Sequence, residues 1–365
     1  MTGVQTCALP ISDEAGRAVS RPFAIWKHPE RLADELASIL REFPQTERVA
    51  VTMTAELADC FATKSEGVRF ILNAVELSVA RSVRVRSQDR AEAPHSESAG
   101  YDSSVGGREP IAVWTTDGRF MTANEAATQP MLVAAANWHA QATFLAQWGA
   151  HSVVLLIDIG TTTTDIIPLA KGVSVATGLT DLQRLQSGEL SYSGVKRTPL
   201  CAIAHAVPFR EGYCPLAAEL FATTLDVYLL LGDIAEDAED LETANGKPAT
   251  KAAAHDRLAR MLCCDRNEVS FDEVVEIARF LADVQRQRLV GSLERVVSQL
   301  SEPLKGVAVS GSGAFLARRL VATNRRTANA WIFSLEEHCS PMIAEAGCAY
   351  AVAQLLASRE IWSGE

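Results

Sequence analysis

Residues 152–165, SVVLLIDIGTTTTD, constrain this chain more than any other stretch. An unbroken apolar run of this length, stopped by a turn, reads as a strand buried on both faces. It delivers Asp158 to its carboxyl end. Gly160 lets the backbone turn tightly there, since it carries no Cβ. Thr161, Thr162 and Thr163, with Thr164 behind them, then bring four hydroxyls and several N–H groups to one place. That is a concave donor array suited to phosphate oxygens. Asp158 beside it suits Mg²⁺, which takes one or two carboxylates together with phosphate oxygens. The same residues also fit a plain Thr-rich strand–turn–strand hairpin.

A second segment, VAVSGSGAFLA at 307–317, repeats the theme. A buried strand ends in Ser310, Gly311, Ser312 and Gly313 and enters a helix. Glycines at that junction let a ligand approach the backbone, and the start of the helix favours an anion. A tight strand-to-helix connection would use the same residues.

Around these segments the apolar periodicity alternates between strands and helices. Helices are expected at 31–43, 63–81 (capped by Thr63 or Ser65), 126–148, 216–231, 274–300 (one long helix or two) and 341–358. Strands are expected at 48–52, 111–114, 152–157, 306–310 and 328–333. Residues 164–169 and 173–176 should form a hairpin turned at Lys171 and Gly172. Residues 88–110 are poor in apolar side chains and rich in Ser, Gly, Glu and Asp, which reads as a mobile loop. Residues 235–254 read as an acidic surface loop with a turn at Asn245 and Gly246. This alternation predicts an α/β fold with largely parallel sheets, and 365 residues predict about two domains.

Composition excludes several classes. Lys and Arg number 34 against 45 Asp and Glu, a net charge of −11. A protein that coats a nucleic-acid duplex needs the opposite balance, so no nucleic-acid partner is expected. No apolar window approaches the 18 or so residues of a membrane span, so no membrane partner is expected. Eight cysteines without a CxxC pair, two of them adjacent at Cys263 and Cys264, make neither a disulfide framework nor a zinc site. Thiols of this kind fit a reducing cytoplasm.

The first eleven residues, MTGVQTCALPI, have no basic region and too short an apolar stretch for a signal peptide. The string resembles a translated sequencing adapter. Residues 1–12 are therefore expected to be an artefactual leader outside the fold.

Two strand-ended loops of this kind, in one α/β chain, resemble the actin-like superfamily. The resemblance implies an actin-like (ribonuclease-H-like) two-domain fold with a central cleft, in which the DIGTTTTD segment is the second phosphate motif and the GSG turn holds a nucleoside. It further implies that the first strands and the first phosphate loop, a DIGGAN-like segment, belong upstream of Asp13. The expected division is 13–150, incomplete and carrying the 88–110 loop, then 151–335 with both loops, then a helix over 338–358 returning to the first domain.

Within that superfamily the chain is similar to the hydantoinase/oxoprolinase-related group. More narrowly it resembles the tetrahydromethanopterin-linked C1-transfer pathway proteins, whose archaeal members are methanofuran-biosynthesis synthases. The blocks that carry this are AVTMTAELADCFATKSEGV (50–68), AAANWHA (134–140), IDIGTTTTDIIPL (157–169), GELSYSGVKRTP (188–199), ELFATTLDVYLLLG (219–232) and VSGSGAFL (309–316). The resemblance implies a magnesium-dependent transferase. It would join an aminomethylfuran diphosphate to the phenol of γ-glutamyltyramine or a tyrosine analogue, with loss of pyrophosphate. Its partners would be these small molecules alone; oligomeric state is left open.

Several side chains could serve that chemistry. Lys196 and Arg197, beside a Pro-fixed turn, could clamp a diphosphate or simply be exposed loop charges. Glu189 could be a base or a magnesium ligand. Thr54, Glu56 and Asp59 follow a strand end, where α/β folds place ligands, with Glu56 a catalytic candidate; all three could equally cap the next helix. Cys60, Lys64, Glu66, Asn137 and His139 read as packing or surface residues. Asp181 and Arg184 suggest a supporting ion pair, and Asp226, inside an apolar helix, needs a partner if buried. Two other functions compete: an ATP-driven hydrolase of the hydantoinase/oxoprolinase kind, and a non-enzymatic nucleotide-gated binding protein.

Overall fold

The computed structural model describes residues 7–13, 15–91, 109–149 and 152–362. It divides into two compact units, one of residues 146–338 and one of 5–145 with 339–365.

The second of these begins with an antiparallel pair, β1 (Cys7–Ser12) and β2 (Ala18–Phe23), in register from Cys7 opposite Phe23 to Ser12 opposite Ala18. The leader expected to lie outside the fold thus supplies a strand from Cys7 onward. An antiparallel ladder needs only backbone donors and acceptors, and the turn at Gly16 (φ +88°) brings them together. Helix α1 (Leu32–Leu40) turns Leu32, Ala33, Ala37, Ile39 and Leu40 inward. A three-stranded sheet follows. Strand β3 (Val49–Val51) pairs parallel with β4 (Ile111–Trp114), which pairs antiparallel with β5 (Phe120–Thr122). Helix α2 (Lys64–Ala91) covers it with Val68, Ile71, Leu72 and Val75. Its cap is Thr63, whose hydroxyl accepts the Glu66 N–H at 3.1 Å. The helix enters the segment expected to be a loop; residues 92–108 of that expectation lie outside the described residues.

The single helix expected over 126–148 is three pieces: α3 (Ala123–Thr128), α4 (Pro130–Val133) and α5 (Asn137–Ala146). Pro130 cannot donate to the preceding turn, and Ala135 adopts φ +50°, so the helical ladder stops twice.

The 146–338 unit is built on a six-stranded sheet. Its path is β13–β12–β6–β7–β8, with β9 on β7. The strands are β6 (Val153–Ile159), β7 (Thr164–Ala170), β8 (Val173–Ser174), β9 (Leu190–Ser191), β12 (Leu304–Ser310) and β13 (Trp331–Ser334). Strand β6 is central, which is why every residue from Val153 to Ile157 is buried. The sheet is parallel only across β13–β12–β6; the β7, β8 and β9 pairings are antiparallel. This corrects the expectation of largely parallel sheets. Two tight turns return the chain directly without a crossover: the 160–163 turn joins β6 to β7, and Lys171 (φ +53°) with Gly172 (φ +78°) joins β7 to β8.

Between β9 and β12 lie α7 (Leu200–Ile203), the hairpin β10 (Ala206–Phe209) and β11 (Gly212–Pro215), α8 (Thr224–Leu231), α9 (Lys251–Arg260) and α10 (Phe271–Ser298). Helix α6 (Asp181–Ser187) precedes β9, with Thr180 and Gln183 forming its capping box. Helix α11 (Ala314–Thr323) follows the GSG turn, and α12 (Leu335–His338) follows β13. The core joins Leu155, Ile157 and Ile159 of β6 to Tyr228 of α8, Ile277 and Leu289 of α10 and Leu316 of α11. Helix α8 starts eight residues later than its periodicity suggests. The backbone of 216–223 is taken by distant partners: Leu216 N–H by His205 O, Ala217 N–H by Met261 O, and Ala222 O by Leu200 N–H.

The chain returns to the first-described unit through α13 (Pro341–Glu345) and α14 (Gly347–Trp362), two helices where one was expected. Helix α14 packs on β3 and β1. Among the described residues no helix is long and apolar enough to cross a membrane.

Candidate active site

Three loops meet at the carboxyl end of β6. Asp158, the one residue of that strand that is only partly buried, lies in register with Ser310 of β12 on one side and Asp165 of β7 on the other. A row of three polar side chains thus crosses three adjacent strands just where the sheet ends. Asp165 is held by Arg184 of α6, whose Nη1 donates at 2.8 Å; Arg184 also reaches Asp181 at 3.5 Å. Both members of the closer pair are nearly inaccessible. Asp158 Oδ1 is buried and has no hydrogen-bond partner among the described residues. Burial, and then the neighbouring Asp165, push its carboxyl up to about 7, against the pull of a hydrogen bond from Ser310.

The threonine loop closes with Gly160 N–H donating to Thr163 O at 2.9 Å. Thr161, Thr162 and Thr163 are partly exposed, whereas Thr164 is buried and donates its hydroxyl to Ser193 O at 2.7 Å. The loop that carries Lys196 and Arg197 is laid directly on this turn. Val195 N–H donates to Gly160 O at 3.0 Å; Lys196 and Arg197 N–H both donate to Thr161 O, at 3.0 and 2.9 Å. Gly194 makes the approach possible: a Cβ there would stand 2.5 Å from Gly160 O and from Thr162 N. At Gly160 itself a Cβ would meet nothing closer than 3.6 Å. The glycine that the turn was expected to require at Gly160 is required instead at Gly194.

The GSG turn folds over the same strand end. Gly313 N–H donates to Ile159 O at 2.8 Å. Gly311 sits at φ +81°, and a Cβ on it would lie 2.3 Å from Ile159 O and 2.5 Å from Asp158 Oδ1. Ser310 and Gly311 therefore border Asp158, Gly313 is tied to the neighbouring Ile159, and the 195–197 backbone is tied to Gly160 and Thr161 just beyond it. The sequence reading placed these residues in three separate motifs, and the fold brings them to one point.

Lys196 Nζ faces Asp240 Oδ2 at 3.8 Å, from the acidic 235–250 segment. The sequence reading missed Asp240 and Asp165 as site residues. The final Asp of DIGTTTTD was a signal for Asp165; no local pattern points to Asp240.

Glu189 does not stand ready as a base or metal ligand. Its carboxylate is buried and accepts from Thr177 N–H at 2.5 Å, Gly178 N–H at 2.9 Å and the Ser187 hydroxyl at 2.9 Å. It closes the loop before α6. Asp226 is likewise committed. It accepts from Arg257 Nε at 2.6 Å and from Thr223 N–H at 2.9 Å, with both side chains inaccessible.

Thr54, Glu56, Asp59, Cys60, Lys64 and Glu66 belong to the other unit, after β3. Glu56 is buried, and the first turn of α2 presses on its backbone at Gly67. Glu66 accepts Ala62 N–H at 3.0 Å, a cap. Burial pushes the Cys60 thiol up, away from thiolate reactivity. His139 accepts from Trp114 Nε1 at 3.2 Å as a packing residue, and Asn137 reaches Cys348.

The three loops at this strand end all lie within the matched family profile, described as Hydantoinase/oxoprolinase, which covers residues 47–327. The chain belongs to the hydantoinase/oxoprolinase family. Within it, the chain is 31% identical over 335 residues to a curated protein of Methanocaldococcus jannaschii, covering 92% of this chain and 89% of that one. The relative is named (4-{4-[2-(gamma-L-glutamylamino)ethyl]phenoxymethyl}furan-2-yl)methanamine synthase, an enzyme. A Methanococcus vannielii protein of the same name is 31% identical over 202 residues, 55% of this chain and 90% of that one. Among solved structures, a nucleotide-free acetone carboxylase aligns over 95% of this chain at 11% identity and TM-score 0.42. An ATP-dependent caprolactamase from Pseudomonas jessenii aligns over 96% at 13% identity and TM-score 0.40. This chain spans about half of each of those two, 51% and 52%.

Proposed function

We propose that this protein is a synthase of the kind its curated relatives are named for. It joins an aminomethylfuran diphosphate to the phenol of γ-glutamyltyramine or a tyrosine analogue. The bond from the furan methylene to the diphosphate oxygen breaks, the methylene–phenol ether forms, pyrophosphate leaves, and the phenol gives up its proton to a base. The observation that carries the reading is the meeting of three loops suited to an anion at the end of β6, the strand that carries Asp158, in a chain 31% identical to such a synthase over most of both lengths.

A furan methylene bearing a diphosphate ionises readily, so the protein's main task is to receive the departing charge. The hydroxyls of Thr161, Thr162 and Thr163 and the ammonium of Lys196 are the groups that meet phosphate oxygens in this reading. Gly311 keeps the backbone close enough for a ligand to lie against it. Asp158, with a buried oxygen and hydroxyl neighbours, fits a hard cation such as Mg²⁺, which binds oxygen donors and keeps several waters. The described residues hold no cluster of three or more His, Cys, Asp or Glu that could ligate a metal alone, and a diphosphate-bound Mg²⁺ needs none. When bound, Mg²⁺ neutralises charge developing on the leaving oxygens. ATP enters the reading only as an optional ligand of the GSG turn, and the cytoplasm is the expected compartment.

The test is product identification by mass spectrometry. The protein is incubated with Mg²⁺, the furan diphosphate and γ-glutamyltyramine. The ether should accumulate only with both organic substrates present. Binding of both substrates without any ether would overturn the reading.

A further inference from the structure

Helix α10 packs on the core through Val274, Ile277, Ala278, Leu281, Leu289 and Leu293. One polar side chain interrupts that stripe, Gln285, and it is 1% exposed. Burying an amide costs free energy unless each polar atom is paired. Here each is. Nε2 donates to Ser193 Oγ and to Gly194 O, both at 2.9 Å, and Oε1 accepts the Tyr228 hydroxyl at 2.6 Å. Gly194 O can only accept, so the amide has one possible orientation. The residues it grips are those that lie on the threonine loop. Gly194 stands against Gly160 O and Thr162 N, and Lys196 and Arg197 follow within three residues. Tyr228 continues the connection: its ring meets Phe315 edge-on at 5.0 Å, at the start of the helix that follows the GSG turn.

We propose that Gln285 is a positioning residue: it fixes the 193–197 loop on the threonine loop and thereby sets the affinity of the site for a diphosphate. It touches no ligand itself. The Thr164 hydroxyl on Ser193 O (2.7 Å) and the Thr224 hydroxyl on Gly194 O (2.9 Å) pin the same loop from other sides. Gln285 ties it to the long helix and, through Tyr228, to the GSG side. Hydrogen bonds of this kind strengthen in a low-dielectric interior, and a half-satisfied network is costly. The proposal rests on the reading of these loops as the diphosphate site.

The test uses the full chain, inorganic pyrophosphate with Mg²⁺ in a calorimeter, and amide hydrogen exchange at Lys196 and Arg197. Gln285→Leu keeps the bulk and removes all three bonds. It should weaken pyrophosphate binding about tenfold, because small misplacements of a binding group are expensive, and should speed exchange of both amides. Ser193→Ala, a milder change, should weaken binding roughly threefold on the same ground. Tyr228→Phe leaves both donated bonds intact and should change binding by less than Ser193→Ala does. Binding and exchange unchanged in both Gln285→Leu and Ser193→Ala would overturn the proposal. If the wild-type chain binds no pyrophosphate, yet exchange accelerates in Gln285→Leu, the diphosphate reading falls while the loop-fixing role of Gln285 stands.

Discussion

Asp158 carries a charge that its surroundings resist. Its carboxyl titrates near 7 in the folded chain because of burial and the proximity of Asp165, against an ordinary value of 3.8. The folded state therefore holds a proton that the unfolded state has already released. Stability contributed by this residue is greatest at and below pH 4, declines as pH rises from about 4 to about 7, and is level above; the full span is at most about 4 kcal/mol. Denaturant titrations of the wild type and Asp158→Asn between pH 4 and 8 should show that decline in the wild type and a shallower one in the variant. Parallel curves would contradict it. The same variant should lose at least about a hundredfold in turnover, since it removes the carboxylate proposed to hold Mg²⁺ against the leaving diphosphate. The glycines separate as cleanly. Gly194→Ala should cost more than about 2 kcal/mol, since a Cβ there strikes backbone. Gly160→Ala, whose Cβ meets nothing closer than an ordinary contact at 3.6 Å, should cost less than about 1 kcal/mol. Equal costs in a thermal melt would refute the assignment of the close approach to Gly194.

At the scale of elements, helices α8 and α9 are joined by Asp226 and Arg257, which are both inaccessible. Breaking such a pair leaves an uncompensated buried charge. Arg257→Leu should therefore destabilise by about 3–5 kcal/mol, with Asp226→Asn, Arg257→Leu together costing less than the single change; urea midpoints decide. Asp240→Asn should tighten pyrophosphate binding a few-fold by releasing the Lys196 ammonium, and weaker binding would count against the competition. Strand ends were the legible part of this chain. Apolar runs 152–157 and 306–310 announced β6 and β12, and the turn residues Lys171 and Gly172 announced the hairpin. What stayed hidden was set by distant backbone partners. The start of α8 is fixed by His205 O, Met261 O and Leu200 N–H, none of which leaves a mark on the periodicity of 216–231. Glu189 looked catalytic from its block and is instead occupied by two backbone amides. Gln285 was invisible for the opposite reason, a lone amide in an apolar stripe whose partners lie 57 to 92 residues away.

For the molecule as a whole, family membership and local geometry point the same way. The hydantoinase/oxoprolinase profile spans residues 47–327, and the loops that border Asp158 all fall within it. That family frame alone leaves open whether the site spends a nucleotide or releases one product of a diphosphate. An assay separates the two, because only the proposed synthase reaction needs the phenol and dispenses with ATP. The deciding measurement is simultaneous release of pyrophosphate and ADP from this protein with Mg²⁺, the aminomethylfuran diphosphate and γ-glutamyltyramine, with and without ATP. The account predicts pyrophosphate that requires the phenol, is indifferent to ATP and vanishes in Asp158→Asn; ADP release without ether formation would contradict it.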